Sequence, residues 1–166
     1  MNSPNLTREF EYKGAQVKVD WYDLVGKELP NIQWKHIYAI GDVDGLVPVV
    51  CYKNDRENLP GGGIEPGETA EQGLIREIDE ELNMEVLSWE PIGYQEWTEI
   101  SPNPRVGTSL RVYAKFTKKG EFTNDPGGAV IGYKLVTLEE LNDYIDYGTI
   151  GDRMIELVKT IQSSNG

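Results

Sequence analysis

The stretch Gly62 to Met84, GGIEPGETAEQGLIREIDEELNM, constrains the fold more than any other, because it reads as a glycine turn, a helix start and a two-faced helix in one register. Thr69 and Gln72 have capping-box spacing, so a hydroxyl and an amide satisfy two backbone N–H groups and a helix starts at Ala70. Leu74, Ile78 and Leu82 recur at steps of four, with Ile75 close in angle, and form the stripe this helix must bury. Glu77, Glu80 and Glu81 are spaced by three and four and share a different face. Gly73 lies one turn earlier on that face. Glycine costs a helix about 1 kcal/mol relative to alanine, and its return here is room for a loop or ligand. Asn83 suits the left-handed conformation that ends helices.

The acidic face opposes the local physics. Like charges at this spacing repel, and Asp79, Glu80 and Glu81 stand in the last turns, where the helix dipole favours cations. Arg76 is the single base between Leu74 and Trp89, placed to pair with Glu80 or with Glu68 in the preceding loop. A hard divalent cation bound by oxygen atoms is the natural complement, and Gly61-Gly62-Gly63 lets a main-chain carbonyl turn toward it. Acidic runs on helices are usually solvated faces. The fixed register of Gly62, Glu68, Arg76, Glu77, Glu80 and Glu81 argues against that here.

Composition limits the partners. A formal net charge of −12 disfavours polymeric nucleic acid and anionic membrane, while a small phosphate ligand needs a local positive centre. Cys51 and His36 are the single cysteine and histidine, which excludes an internal disulfide and any Cys/His zinc site. A metal would therefore be Mg²⁺, Mn²⁺ or Ca²⁺. No signal peptide or membrane span is expected, and the lone cysteine fits a cytoplasmic setting. A homodimer is compatible with all of this.

The chain reads as one domain over residues 1–166, with 1–9 and 163–166 flexible. Strands are expected over Ala15–Trp21, Trp34–Ile40 and Leu46–Tyr52, the last two forming a hairpin at Asp44-Gly45. Lys53–Asn58 is a polar loop. After the central helix, Glu85–Trp89 and Ile92–Ile100 read as strands broken by Pro91, followed by Leu110–Phe116 and Tyr133–Val136. A short helix over Leu138–Tyr144 and a final one through Ile150, Met154, Leu157, Val158 and Ile161 complete six or seven strands and two or three helices. The fold class is mixed α/β (α+β), helices packed on the faces of a mixed sheet.

The central stretch resembles the Nudix box, G-x5-E-x7-R-E-U-x-E-E-x-G-U, with U a bulky aliphatic residue. Gly62, Glu68, Arg76, Glu77, Ile78, Glu80, Glu81 and Met84 match, and Asn83 stands where the family has glycine. The resemblance implies an α/β/α sandwich around a central mixed β-sheet. It also implies a MutT-like hydrolase that uses water and Mg²⁺, or Mn²⁺, to cleave a nucleoside diphosphate linked to a group X. By position Glu77, Glu80 and Glu81 would bind the metal with the Gly61 carbonyl, Glu68 would support them and Arg76 would orient the carboxylates. The general base is Glu77 or an acid on the Lys118–Gly128 loop, Asp125 or Glu121.

The group X is less legible. Downstream markers of the ADP-ribose, diadenosine-polyphosphate, NADH and CoA types are off register or absent. That leaves (deoxy)nucleoside triphosphates, oxidised nucleotides or nucleotide sugars. Arg111 and Arg105 are candidates for a phosphate, and Tyr94, Trp97, Trp34 or Tyr38 for stacking on a base, against the plainer reading of ordinary core aromatics. His36 and Cys51 read as packed strand residues. Two other readings are a nucleotide-sensing domain without catalysis, which would tend to lose box carboxylates, and an isopentenyl-diphosphate-type isomerase, which needs an active-site cysteine.

Overall fold

The computed structural model describes residues 3–102 and 104–165. Among these are nine strands and three helices: β1 Leu6–Tyr12, β2 Ala15–Asp23, β3 His36–Asp42, β4 Val47–Tyr52, β5 Glu57–Asn58, β6 Gly61–Gly63, α1 Ala70–Leu82, β7 Met84–Ile100, β8 Val106–Lys118, β9 Val130–Val136, α2 Leu141–Ile145 and α3 Gly148–Asn165.

Six strands form a mixed sheet in the order β1-β2-β7-β8-β3-β6, in which β3 and β8 run parallel and the other neighbours antiparallel. Strand alternation sends successive side chains to opposite faces. Ile37, Ala39, Leu110, Val112, Ala114 and Phe116 meet Leu74, Ile78 and Leu82 of α1 on one face. Trp21, Ile40, Ile92 and Tyr113 meet Met154, Val158 and Ile161 of α3 on the other. A second sheet, β5-β4-β9, gives alternate residues to both cores, Val49 and Val136 to one, Val50 and Val130 to the other. The result is the expected helix–sheet–helix sandwich. Leu74, Ile78 and Leu82 are fully buried, each contributing about 1.5–3 kcal/mol of apolar burial.

Several local expectations are corrected. Residues 6–9 are not a loose end: Leu6, Arg8 and Phe10 are half-buried on β1, which pairs along its length with β2. The C-terminal tail stays helical through Asn165. Met1, Asn2 and Gly166 lie outside the described residues. Asp44 and Gly45 do turn the chain at positive φ (52° and 87°), but Val43–Leu46 is the single bridge that follows. From there β4 leaves for the second sheet, because β3 is flanked by β8 and β6.

The Lys53–Asn58 loop closes into the short strand β5. Pro91 does not break β7, since the register shifts at Val86/Ser88 and Pro91/Gly93 absorb it within one strand. Ile75 is half-exposed, because the buried arc of α1 is narrower than its angle from Leu82 implies. None of the described helices is long and apolar enough to cross a membrane.

Candidate active site

The site begins where β6 is pressed against β3. Gly61 holds φ at +140°, and a Cβ there would lie 2.1 Å from the Ile37 carbonyl oxygen, so only glycine lets β6 come this close. A Cβ on Gly62 would meet the Glu77 carboxyl at 2.7–2.8 Å. The glycine run is thus the bed on which the acidic face of α1 lies. The helix is registered against it by the expected capping box, Thr69 Oγ1 accepting from Gln72 N at 3.1 Å and Gln72 Oε1 from Thr69 N at 2.9 Å. Gly73 gives its room to the loop, a Cβ there falling 3.1 Å from Glu68 Oε1 and 3.2 Å from Ile64. Asn83 ends the helix in the left-handed state, φ 52° and ψ 50°.

Arg76 ties loop to helix. Its Nε and Nη2 donate to the two Glu68 oxygens at 2.7 and 2.9 Å, Nη2 also to the Gly63 carbonyl at 2.9 Å, and Nη1 to Glu77 Oε1 at 3.0 Å, with Glu80 at 3.5 Å. The choice between Glu68 and Glu80 resolves to a bidentate grip on Glu68, the geometry in which a planar guanidinium is strongest. That grip holds the Glu68 carboxyl down to about 2 and raises the guanidinium above its usual range.

Glu81 is the outlier. It is 5 % exposed, accepts one hydrogen bond from Gly61 N at 2.7 Å and forms no ion pair among the described residues. Burial pushes its carboxyl up to about 8, with the neighbouring Glu77, Asp125 and Glu80 adding to the rise. Burial also raises Glu77, against the pull of Arg76.

These acids suit a hard cation. Arg76 is one positive charge within reach of Glu65, Glu68, Glu77 and Glu80, while Glu81 is buried without a cation among the described residues. The donors are all oxygen, as Mg²⁺ or Mn²⁺ require. Among the described residues no three acids, cysteines or histidines already converge as a metal cluster; the carboxylates are engaged with Arg76 and Gly61 instead.

Asp125 reaches the same region, since its charge bears on Glu77 and Glu81. Its oxygens accept the N–H groups of Gly127, Ala129 and Val130 at 3.1–3.2 Å, so it shapes the loop it sits on. Glu121 is exposed, and its carbonyl accepts from Asn83 Nδ2 at 3.0 Å.

Tyr94 and Trp97 are three apart on one strand and so face opposite ways. Tyr94 stacks on Tyr22 at 4.7 Å with Trp34 against its edge at 5.3 Å, on the α1 side of the sheet. Trp97 lies on the α3 side, in a hollow it shares with Phe10, Tyr12 and Gln95. Arg105 pairs with Glu99 at 2.6 Å. His36 packs beside Tyr38, and burial lowers its pKa. Cys51 is half-buried with its thiol pushed up by burial, consistent with a packed residue.

Arg111 is where sequence reasoning pointed without seeing the surroundings. It is 4 % exposed, stands over the Tyr38 ring at 4.7 Å and the Tyr147 ring at 5.6 Å, and donates to Ser109 and to Gln95 (3.2 Å). Its Nε–H has no partner among the described residues, a loss of about 1–3 kcal/mol for a buried donor. It opens into a cavity of about 590 Å³ that Arg8, Arg56, Phe10, Tyr12 and Tyr147 also line. None of these five is singled out by sequence. Only the alternation of Arg8, Phe10 and Tyr12 on one strand face hints at them, and that strand begins within the 1–9 stretch expected to be flexible.

The cavity and the acids are neighbours. Tyr38 pairs with Arg111 on one side and with Gly61 on the other, so two strand spacings, about 10 Å, separate Arg111 from the Gly61–Glu81 contact. This joins an acidic, cation-hungry ledge to an arginine-lined hollow.

A family model described as NUDIX domain matches residues 46–157. No curated protein matches the chain in sequence. Solved structures that resemble it include the Bacillus subtilis pyrophosphohydrolase BsRppH (22 % identity, TM-score 0.58, covering 77 % of this chain and 76 % of that one). Others are a MutT NUDIX hydrolase from Burkholderia pseudomallei (20 %, 0.57, 76 % and 99 %) and a NUDIX hydrolase from Nitrosomonas europaea (18 %, 0.57, 75 % and 87 %). At these identities the likeness is one of fold.

Proposed function

The chain belongs to the NUDIX domain family and so is a hydrolase of phosphoric anhydride bonds, and from that premise we propose a divalent-metal-dependent pyrophosphohydrolase cleaving the diphosphate linkage of a nucleoside diphosphate derivative. Mg²⁺ is the ion of this reading and Mn²⁺ its substitute. The observation that carries it is the uncompensated acid set of α1 on its glycine bed, above all Glu81, buried without a cation.

Glu80 and Glu81, with the Gly61 carbonyl, would hold the ion, leaving Glu77 for the proton. When bound, such an ion neutralises diphosphate oxygens and makes water a better nucleophile. The chain does the rest. Arg76, gripped by Glu68, fixes the orientation of the Glu77 carboxyl. Water adds to one phosphorus, the bridging P–O bond breaks, and the water's proton passes to a carboxylate. Glu77 is that base in this reading, because the Asp125 oxygens are committed to three backbone N–H groups.

The nucleotide lies in the arginine-lined cavity beyond Tyr38. Its class is a (d)NTP or oxidised nucleotide, with ADP-ribose or a nucleotide sugar as the alternative. A cytoplasmic setting accords with the free thiol of Cys51.

The test is a panel of nucleoside triphosphates, oxidised nucleotides, nucleotide sugars and dinucleotides, with and without Mg²⁺, read by mass. Release of phosphate-ended products only with the ion is expected. No turnover anywhere on the panel overturns the reading.

A further inference from the structure

The chain has six arginines, and they divide cleanly. Arg76, Arg105 and Arg153 each form an ion pair with a carboxylate, to Glu68, Glu99 and Asp23. Among the described residues Arg8, Arg56 and Arg111 form none, although the chain carries 28 acidic residues against 16 basic ones. All three line the same cavity. What sets these three apart is their gathering in one hollow of so acidic a chain, where they concentrate positive charge.

Each is held by something other than an anion. Arg8 donates from Nη1 to the Tyr147 carbonyl at 2.7 Å and stands over the Phe10 ring at 5.3 Å. Arg56 stands over the Tyr52 ring at 5.2 Å. Arg111, nine-tenths buried, lies between Tyr38 and Tyr147 with its Nε–H unpaired. Aromatic faces orient a guanidinium without neutralising it, so its charge and planar donor fork stay available for a phosphate. The wall carries one acid, Asp146, at the left-handed end of α2.

Size and position narrow the ligand. The cavity falls within the range of small-molecule sites, about 300–1,000 Å³. Phe10, Tyr12 and Tyr147 give it flat apolar surface suited to a base or ribose. Arg111 sits about 10 Å, two strand spacings, from the Gly61–Glu81 contact. A phosphate held there is therefore separate from the diphosphate at the acids.

We propose that the substrate is a nucleotide carrying a further phosphate ester, beyond the diphosphate that is cleaved, and that Arg8, Arg56 and Arg111 bind it. This deepens the function proposed above and rests on it. The further phosphate has two sources with the same chemistry, a phosphate on the ribose or the next phosphodiester of a short 5′-phosphorylated RNA. The aromatic wall holds the adjoining base or sugar.

Two measurements separate this inference from the reading beneath it. In the first, kcat/KM with Mg²⁺ is compared within matched pairs: ADP-ribose against its 2′-phosphate, and GTP against a 5′-triphosphorylated dinucleotide. Members with the further phosphate are expected to be favoured at least tenfold in one pair, which identifies the source. That preference should collapse in Arg8→Ala and Arg56→Ala and survive in Lys159→Ala, whose residue pairs with Glu139 on the outer side of α3. Equal kcat/KM within both pairs, or a preference unchanged in the arginine variants, overturns the inference while the hydrolase reading stands.

In the second, the metal-free protein is melted with and without inorganic phosphate. A rise in Tm that the double variant Arg8→Ala/Arg56→Ala loses supports the anion site even if no substrate turns over. No rise in the wild-type chain counts against it.

Discussion

Two charged regions flank Tyr38, and they are built in opposite ways. On the α1 side, Glu68, Glu77 and Glu80 share one guanidinium, Arg76, Glu81 stands apart from it, and all come from one continuous stretch. On the α3 side, Arg8, Arg56 and Arg111 share one acid, Asp146, and come from β1, the β4–β5 connection and β8. Neither excess makes sense alone, because the fold leaves each charge uncompensated at a cost. In the function proposed above, side by side they are the two ends of a receptor, one short of a cation and the other short of an anion, and a polyphosphate with its metal would supply both.

The comparison breaks most readily at the acidic end. Glu77→Gln and Glu81→Gln should each lower kcat by about a thousandfold, roughly 4 kcal/mol of barrier. Glu81→Gln should also leave the metal-free protein at pH 8.5 as stable as before or more so, since above about 8 it removes a buried charge while keeping an oxygen for Gly61 N. Steady-state kinetics beside thermal melts in EDTA check both. A Glu81→Gln protein with near-normal kcat would sink the division into a chemical end and a binding end.

A smaller effect, of several degrees in Tm, is expected from pH. The Glu81 carboxyl in the folded chain sits at about 8, above its ordinary value of 4.5. Between those values the folded state binds more protons than the unfolded one, so metal-free stability falls as pH rises from about 4.5 to about 8. Mg²⁺ should therefore raise Tm more at pH 8.5 than at pH 5.5. An equal rise at both would mean that Glu81 does not meet the ion. Asp23 has the opposite sign. Despite burial, Arg153 and the Trp21 ring N–H hold its carboxyl low, so the clamp between β2 and α3 weakens only in acid.

The smallest effect is at Asn83. Asn83→Gly restores the residue of the Nudix box and relaxes φ 52°, while deleting the Nδ2 bond to the Glu121 carbonyl. A stability change within about 0.5 kcal/mol and unaltered kcat are expected by denaturant titration and kinetics. A large loss of activity would show that this bond positions the 119–129 loop for the reaction.

The acidic half was legible because helical periodicity and capping are local: Thr69, Gln72, Leu74, Ile78 and the three glutamates took their places from spacing alone. The glycine bed was legible as freedom, though not as the close approach of Gly61 to Ile37, which needs the sheet. The arginine half was almost illegible. It depends on β1 being a strand, on β7 and β8 lying between β2 and β3, and on parity along β7. By that parity Tyr94 and Trp97, both candidates for stacking on a base, fall on opposite faces of the sheet. Likewise the turn at Asp44-Gly45 was plain, but which sheet β4 joins is decided by the competition of β6 and β8 for β3, which no local pattern encodes.

The first strand has a consequence outside the site. As the rim of the six-stranded sheet, β1 presents an unpaired row of backbone groups, the feature through which sheets join one another and precipitate. Its outward residues Thr7, Glu9 and Glu11 are exposed, so two such rims brought together set carboxylate against carboxylate. The opposite rim, β6, is only three glycines long. A chain shortened to begin at Ala15 would present Val17, Val19 and Trp21 on a bare rim without those carboxylates. The strand that encloses the cavity with one face also carries, on the other, the carboxylates that oppose edge-to-edge pairing.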